Sequence, residues 1–349
     1  MSLEAIIAIG FVALIAIETT ISWLHNLRTY EFRDTAANFA LAFGDLLMAA
    51  AMKAVFLVLF ALLHRFAPLD MGLSWMSWAL LVVINDFIYY VFHRLGHRCR
   101  FMWAFHVTHH SSQKYNFTVA VRLNLFILPL HFLFMLPLAL LGFRPEAILA
   151  INSITTLYQL WVHTELVGKL GFLDRVLNTP SNHRVHHGSN PQYLDRNYGA
   201  MFIFWDHLFG TYEPEGEPVV YGLTKNVGSH NPVTLTFHEV RSMVRDVMRS
   251  GPLRQRLMYL FGPPGWRPAP ASEALRRASP GDLARRVARP PRLALLALPR
   301  VVRHVAAALY TVARRARPRP YQPIHQTTPD SRAIAPHAAH RPLHYHRRH

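Results

Sequence analysis

The chain has 349 residues, 51% of them apolar, one cysteine and a formal charge of +17. That apolar share, with a mean hydropathy of +0.13, is high for a soluble protein and implies several membrane spans. The lone Cys99 excludes an internal disulfide and any cysteine-ligated zinc or iron–sulfur site.

The first predicted element is Leu3–Leu24, apolar apart from Glu4, Glu18 and a few hydroxyls, and long enough to cross ~30 Å of hydrocarbon. It lacks a basic leading segment and a small-x-small cleavage site, so no cleavable leader is expected. His25–Asn38 reads as a polar connection. Phe39–Leu63 is a second span, interrupted by Asp45 and Lys53, for which an interior pair or an interfacial position is expected. Leu73–Phe92 is a third span and runs directly into His93. Leu123–Gly142 is a fourth, which Pro129 and Pro137 should kink, with His131 expected as a buried, hydrogen-bonded residue. Glu146–Val162 is a short fifth apolar helix ending at His163, and the hairpin of the last two elements is either spanning or re-entrant. Asn190-Pro191 and Asp195-Arg-Asn197 read as turns, and Asn231–Leu260 has helical periodicity closed by Gly262-Pro-Pro-Gly265.

Phe261–His349 holds 17 Arg, no Lys and three acids, so +14 of the charge belongs to a tail rather than to the body. No nucleic-acid partner is expected. Arg292–Arg315 within the tail alternates apolar and basic residues and reads either as an amphipathic helix contacting anionic lipid or as a disordered basic extension.

The expected fold is an all-α integral membrane protein. It has four to five transmembrane or re-entrant helices, a cytoplasmic histidine-rich helical metal-binding cap and a basic C-terminal tail. The expected divisions are 1–79 for the N-terminal helices, 80–214 for the metal-binding domain, 215–266 for a helical segment and 267–349 for the tail. Counting spans puts every histidine cluster on one face. That face also carries Arg94, Arg98, Arg100, Lys114 and Arg184, so the positive-inside rule makes it cytoplasmic, with the N-terminus outside.

Three clusters carry the chemistry: His93-Arg-Leu-Gly-His97, His106-Val-Thr-His109-His110 and His183-Arg-Val-His186-His187. Side chains three and four apart share one face of a helix, so each cluster converges its imidazoles on one side. Neutral imidazole is the commonest ligand for a transition metal, and eight rings exceed the four that one structural zinc needs. His163, at the end of the fifth helix, is taken as a ninth ligand. An all-nitrogen set fits iron, zinc, copper or nickel. Several residues are candidates for supporting the ligands. Asp86 lies seven residues before His93 on the same helix face, where a packing role is an equal alternative. Glu165 follows His163. Asn182 precedes His183, where capping is the alternative. Asp206 lies in Trp205-Asp-His207.

Clusters just beyond span ends place a metal at the membrane interface, within reach of a lipid. No glutamate stands inside the first cluster as a hydrolytic base, which argues against a metal-dependent lipid hydrolase. The other competing reading is a histidine-rich membrane metal-binding or transport protein, whose sites ordinarily lie near the bilayer midplane.

Asp86-Phe-Ile-Tyr-Tyr-Val-Phe-His93 through His97, with His106-Val-Thr-His-His-Ser-Ser112, resembles the fatty acid hydroxylase and sterol desaturase superfamily. Trp161-Val-His-Thr-Glu165, Asn178-Thr-Pro-Ser-Asn-His-Arg-Val-His-His-Gly188 and Trp205-Asp-His-Leu-Phe-Gly-Thr211 are similar, within it, to the alkylglycerol monooxygenase-like bacterial members. The resemblance spans about Leu80–Glu213. It implies a diiron centre, with two Fe ions per chain, that uses O₂ and two electrons from an unidentified donor to hydroxylate or desaturate an unactivated C–H bond of a membrane lipid. It implies His93, His97, His106, His109, His110, His183, His186 and His187 as iron ligands and favours His163 as a ninth. The bacterial inner membrane is the implied location. Asn182 stands where many members have another histidine, and Arg98 where animal members of that branch have an acid.

Overall fold

The computed structural model describes residues 3–268. They lie within one compact unit, Met1–Arg292; a second unit, Leu293–His349, falls outside the described residues, as does the stretch Arg292–Arg315. Among the described residues the chain is helical and has no strand beyond two isolated bridges, Leu177 with Phe202 and Gly188 with Tyr221.

Helix α1 is Leu3–Leu24, α2 is Phe32–His64 and α3 is Trp75–Arg98. Two of these, α2 and α3, are long and apolar enough to cross a membrane, and Ile9–Leu24 and Ile127–Leu140 are shorter apolar stretches. Helix α2 starts at Phe32, well before the expected Phe39. Its polar first turns stay helical because Asp34 and Asn38 are buried against Arg122, with bonds of 3.1 and 2.7 Å from the guanidinium. Higher up, α2 turns Phe43, Leu46 and Leu47 outward, each more than half exposed. Lys53 is exposed and no partner reaches the buried Oδ1 of Asp45, so the expected interior pair does not form. Eight residues of helix separate the two by about 12 Å.

Helix α3 continues past Phe92 through both histidines of the first cluster. One extended residue, Cys99, separates it from α4, Arg100–His110. Because α3 and α4 meet there, they pack closely: a Cβ on Gly96 would lie 3.4 Å from the His106 ring. Helix α5, Ile127–Leu140, and α6, Pro145–Trp161, form a hairpin. Pro145 opens α6 at its first turn, where a missing N–H costs nothing. The core of the bundle, with Phe60, Leu81, Met135, Leu138, Ile148 and Ile151, draws on α2, α3, α5 and α6. The ring of His131 on α5 packs on Tyr89 and Phe92, and Tyr89 stands between it and His93.

Short helices α7, Leu173–Val176, α8, Pro180–His187, and α9, Phe204–Phe209, follow. The region expected to be one helix over Asn231–Leu260 is two: α10, Pro232–Arg249, and α11, Leu253–Phe261, broken at Gly251-Pro252. Asn231 caps α10 by accepting from the N–H groups of Val233 and Thr234. Buried Arg100 on α4 fastens α10 with bonds of 2.7 Å to both Glu239 and Asp246.

Candidate metal centre

The ends of α3 and α6, the length of α4 and the length of α8 converge, and the structure brings nine buried histidines together there. They divide into two groups. His93, His97, His106, His110 and His186 form one; His109, His163, His183 and His187 form the other, and within each group the candidate ligand atoms lie within 4.8 Å of one another. The division cuts across the clusters by helix geometry. Pairs four apart, 93/97, 106/110 and 183/187, stay together, while the odd ring of α4, His109, and that of α8, His186, cross to the other group.

The nitrogen spacings fit ligands that share an ion. Nε2 of His106 lies 3.1 Å from Nε2 of both His93 and His110. Nε2 of His163 lies 3.2 Å from Nε2 of His109 and 3.0 Å from that of His183. Two imidazoles bound at ~2.1 Å to one ion, at right angles, stand about 3.0 Å apart.

Tautomers support the same reading. Nδ1–H of His93 donates to the carbonyl of Tyr198, that of His186 to Arg196 and that of His163 to Gln159, at 2.9, 2.9 and 2.7 Å. A ring whose Nδ1 donates outward turns a bare Nε2 lone pair inward. Nε2 of His97, His186 and His187 is buried with no hydrogen-bond partner. Buried acceptors facing one another without a donor are costly, and a cation satisfies them. Burial, with the neighbouring rings adding to it, pushes His106, His109, His110, His183, His186 and His187 well below the usual imidazole range, and burial brings His163 down to about 4. At neutral pH these rings are uncharged, as metal ligands must be.

Behind the five-histidine group lies a loop read from sequence as a plain turn. Asp195 and Asn197 hold left-handed φ angles of 60° and 54°, a conformation that Asp and Asn tolerate better than most residues. The twist aims the carbonyls of Arg196 and Tyr198 at His186 and His93, while Asp195 Oδ1 lies 3.7 Å from His97 Nδ1. Arg98 donates to the same carboxylate at 2.7 Å. Burial works to raise the Asp195 pKa, but the neighbouring His97 and Arg98 outweigh it and hold the carboxyl below its usual range. Asn197 locks the loop from within, donating to the carbonyls of Asn182 and Glu213.

None of the four expected supporting residues bonds a ligand ring among the described residues. Asp86 accepts from the Met201 N–H at 2.8 Å and the Trp205 indole at 2.9 Å, the packing alternative. Asn182 is inside α8 rather than capping it, and its amide donates to the carbonyls of Asp174 and Leu177. Glu165 is exposed and hydrogen-bonds Tyr221, which stacks on Tyr115 at 4.8 Å; Tyr115 in turn touches the His163 and His187 rings. Asp206 acts one step further out, accepting from the N–H groups of Tyr198 and Gly199 and from the Thr211 hydroxyl. Burial pushes its carboxyl up to about 6.

Arg184, between two histidines of the third cluster, points away from the metal groups. It makes a two-pronged pair with Glu215, at 2.8 and 2.7 Å, and donates to the carbonyls of Thr164 and Val167. It therefore ties α8 to the segment that follows His163. The sequence signal for it is an arginine inside a ligand helix with an acidic loop downstream.

Residues 78–211, which carry every one of these nine histidines, match the family model for fatty acid hydroxylase. They form a fatty acid hydroxylase domain. Human alkylglycerol monooxygenase is 39% identical over 202 residues, covering 58% of this chain and 44% of that protein. The Xenopus tropicalis alkylglycerol monooxygenase is 34% identical over 262 residues, covering 74% and 58%. An ornithine lipid hydroxylase of Rhizobium tropici is 30% identical over 146 residues, covering 39% and 42%. The chain thus spans about half the length of these curated relatives. No solved structure matches it. The fatty acid hydroxylase domain places all nine candidate ligands on α3, α4, α8 and the end of α6, with α2 and α5 completing the apolar bundle beside them.

Proposed function

We propose that this chain is a membrane-bound hydroxylase of a lipid, with two iron ions held by the two histidine groups. The observation that carries the reading is the five-plus-four division of buried, inward-facing imidazoles, each group gathered around a single point. All-nitrogen donors also suit zinc, copper or nickel; iron is favoured because relatives of the domain bear the names monooxygenase and hydroxylase. Bound iron would supply the activation of O₂. The overall change balances as R–H + O₂ + 2e⁻ + 2H⁺ giving R–OH + H₂O, with the electrons from a separate donor. Desaturation, which starts from the same C–H bond, is the alternative outcome.

The chain's own residues have distinct parts in this reading. His93, His97, His106, His110 and His186 hold one ion; His109, His163, His183 and His187 hold the other. Arg196, Tyr198 and Gln159 fix ring orientation through their carbonyls, and Asp195 steadies His97. The stacked Tyr115 and Tyr221 shield the four-histidine group from water. The histidine face is cytoplasmic in this reading, and the lipid stays in the bilayer beside α2 and α3 while its reactive carbon reaches the site. A transport role is disfavoured because the rings lie at and beyond the ends of the long apolar helices, whereas transport sites ordinarily lie near the bilayer midplane.

The test is purification from the membrane with metal analysis and an O₂-dependent assay on extracted lipids, followed by comparison of lipids with and without the gene. Two irons per chain and a hydroxylated lipid that appears only with O₂ and reductant are expected. Stoichiometric zinc, or turnover without O₂, overturns the reading.

A further inference from the structure

Helix α10 carries three stripes. Glu239, Ser242 and Asp246 bond Arg100 of α4, and Leu235 and Met243 are buried on that same side. A second stripe, Val233, Val244 and Met248, is exposed at 58%, 46% and 77%. A third, Arg241, Arg245 and Arg249, repeats every four residues and is exposed as well. Helix α11 repeats the pattern in small: Leu253, Leu257 and Phe261 are exposed at 71%, 45% and 59%, with Arg254 and Arg256 beside them. Among the described residues these stripes are touched only at their edges, by one bond from Arg256 to the Ser250 carbonyl and by the Phe261 ring against Phe101.

Two observations say what covers this surface. Its charge is uniformly positive, five arginines with no exposed acid between them. Its position is at the ends of the apolar helices. Leu235 packs on Ala37 and Leu41 of α2, Phe237 meets Phe126 just before α5, and Phe261 meets Phe101 just after α3. The apolar stripes therefore adjoin the first turns of α2, where Phe32, Phe39 and Phe43 face outward. A helix with an apolar stripe and an arginine stripe, held at that level, suits the headgroup boundary of an anionic leaflet.

We propose that α10 and α11 form an in-plane anchor on an anionic lipid surface. Met248, Leu253, Leu257 and Phe261 enter the headgroup–acyl boundary and the five arginines bind lipid phosphates. Because Arg100 locks α10 to the helix bearing His106, His109 and His110, the anchor also sets the height of the metal centre above the leaflet. The proposal does not depend on which reaction the centre performs.

The test uses the full chain with Cys99→Ala, reconstituted in nanodiscs of phosphatidylglycerol and phosphatidylcholine. Nitroxide labels are placed singly at Met248→Cys, Leu257→Cys and, in the acidic loop, Pro214→Cys. Accessibility to O₂, which concentrates in lipid, is compared with accessibility to a water-soluble nickel complex. The O₂-to-nickel ratio should be at least about threefold higher at 248 and 257 than at 214, as for residues ~5–10 Å into the boundary. Arg241→Glu, Arg245→Glu and Arg249→Glu together should bring the ratio at 248 down toward that at 214. Equal ratios at all three sites overturn the anchor. Labels shielded from both reagents and broadened by one another also overturn it, and assign the face to contact between copies of the chain.

Discussion

The carbonyl of Tyr198 accepts a 2.9 Å hydrogen bond from Nδ1 of His93. Two residues earlier, the carbonyl of Arg196 does the same for His186, so one short loop orients rings from two different helices. Asp206 holds that loop from behind through two N–H groups. Replacing Asp206 with Ala leaves those donors and the Thr211 hydroxyl without their acceptor, at about 1–3 kcal/mol for each buried one. Chelator competition should show metal affinity at the five-histidine centre falling by about 10–100-fold, the usual cost of losing outer support. An unchanged affinity would mean that the loop does not orient the rings.

Single ligand variants should separate the two centres. His97→Ala or His110→Ala should lower metal held by the five-histidine group, and His183→Ala or His187→Ala metal held by the other. In each case the content should fall from two ions toward one, with the protein still in the membrane fraction. Two ions retained in both His110→Ala and His183→Ala would remove the assignment.

Arg184→Lys keeps the charge but loses the planar fork. A lysine cannot reproduce both prongs to Glu215 and the two carbonyl bonds at once. A fall in melting temperature is expected, equivalent to about 1–3 kcal/mol for each of the buried acceptors at Glu215, Thr164 and Val167 that is left without a donor. The two metals should be lost together, since His183 and His187 share the helix with His186. A wild-type melting curve would show Arg184 to be dispensable.

The metal-free protein should lose stability as pH falls. His163 and the histidines of α4 and α8 have folded-state pKa values pushed below the unfolded value of ~6.5, to about 4 for His163 and well down for the other six. Above pH ~6.5 both states are neutral and the histidines contribute no pH dependence. Below it the unfolded chain takes up protons that the folded chain refuses, at up to about 1.4 kcal/mol per ring per pH unit. Chelator-treated protein should therefore melt progressively lower from pH 7 to 5. A melting temperature that is flat or rises over that range contradicts the buried, neutral assignment.

What could be read in advance was what side-chain identity and helical spacing encode. The three clusters stand out because imidazoles recur three and four apart, His163 because it ends the fifth apolar helix, and the long apolar runs mark α2 and α3. The partition into five and four was less visible. The i, i+4 pairs could have been read as units, but sending His109 and His186 across requires the packing of α4 against α8. The outer supports were not legible at all. They are main-chain carbonyls at Gln159, Arg196 and Tyr198, and a carbonyl leaves no mark on the residue type. Asp195 and Asn197 were read as a turn because Asx residues signal turns; that the turn faces the metal groups is set by tertiary contact. Asp86 and Glu165 have the right chemistry at the right spacing, but Met201 and Trp205 take the first and Tyr221 the second.

The α5–α6 hairpin has a consequence for the lipid around it. Its helices have 14 and 17 residues, so at 1.5 Å per residue they reach only about 21 and 26 Å. An average hydrocarbon slab is ~30 Å thick. If both ends of the hairpin are to sit in headgroups, the surrounding leaflets must dimple to its length; if it stops short, acyl chains must tilt beneath its tip. In both cases the bilayer is deformed on the flank of the bundle nearest His163, so on the proposed reading the protein would partition toward thinner membranes and meet lipids already displaced from their resting depth.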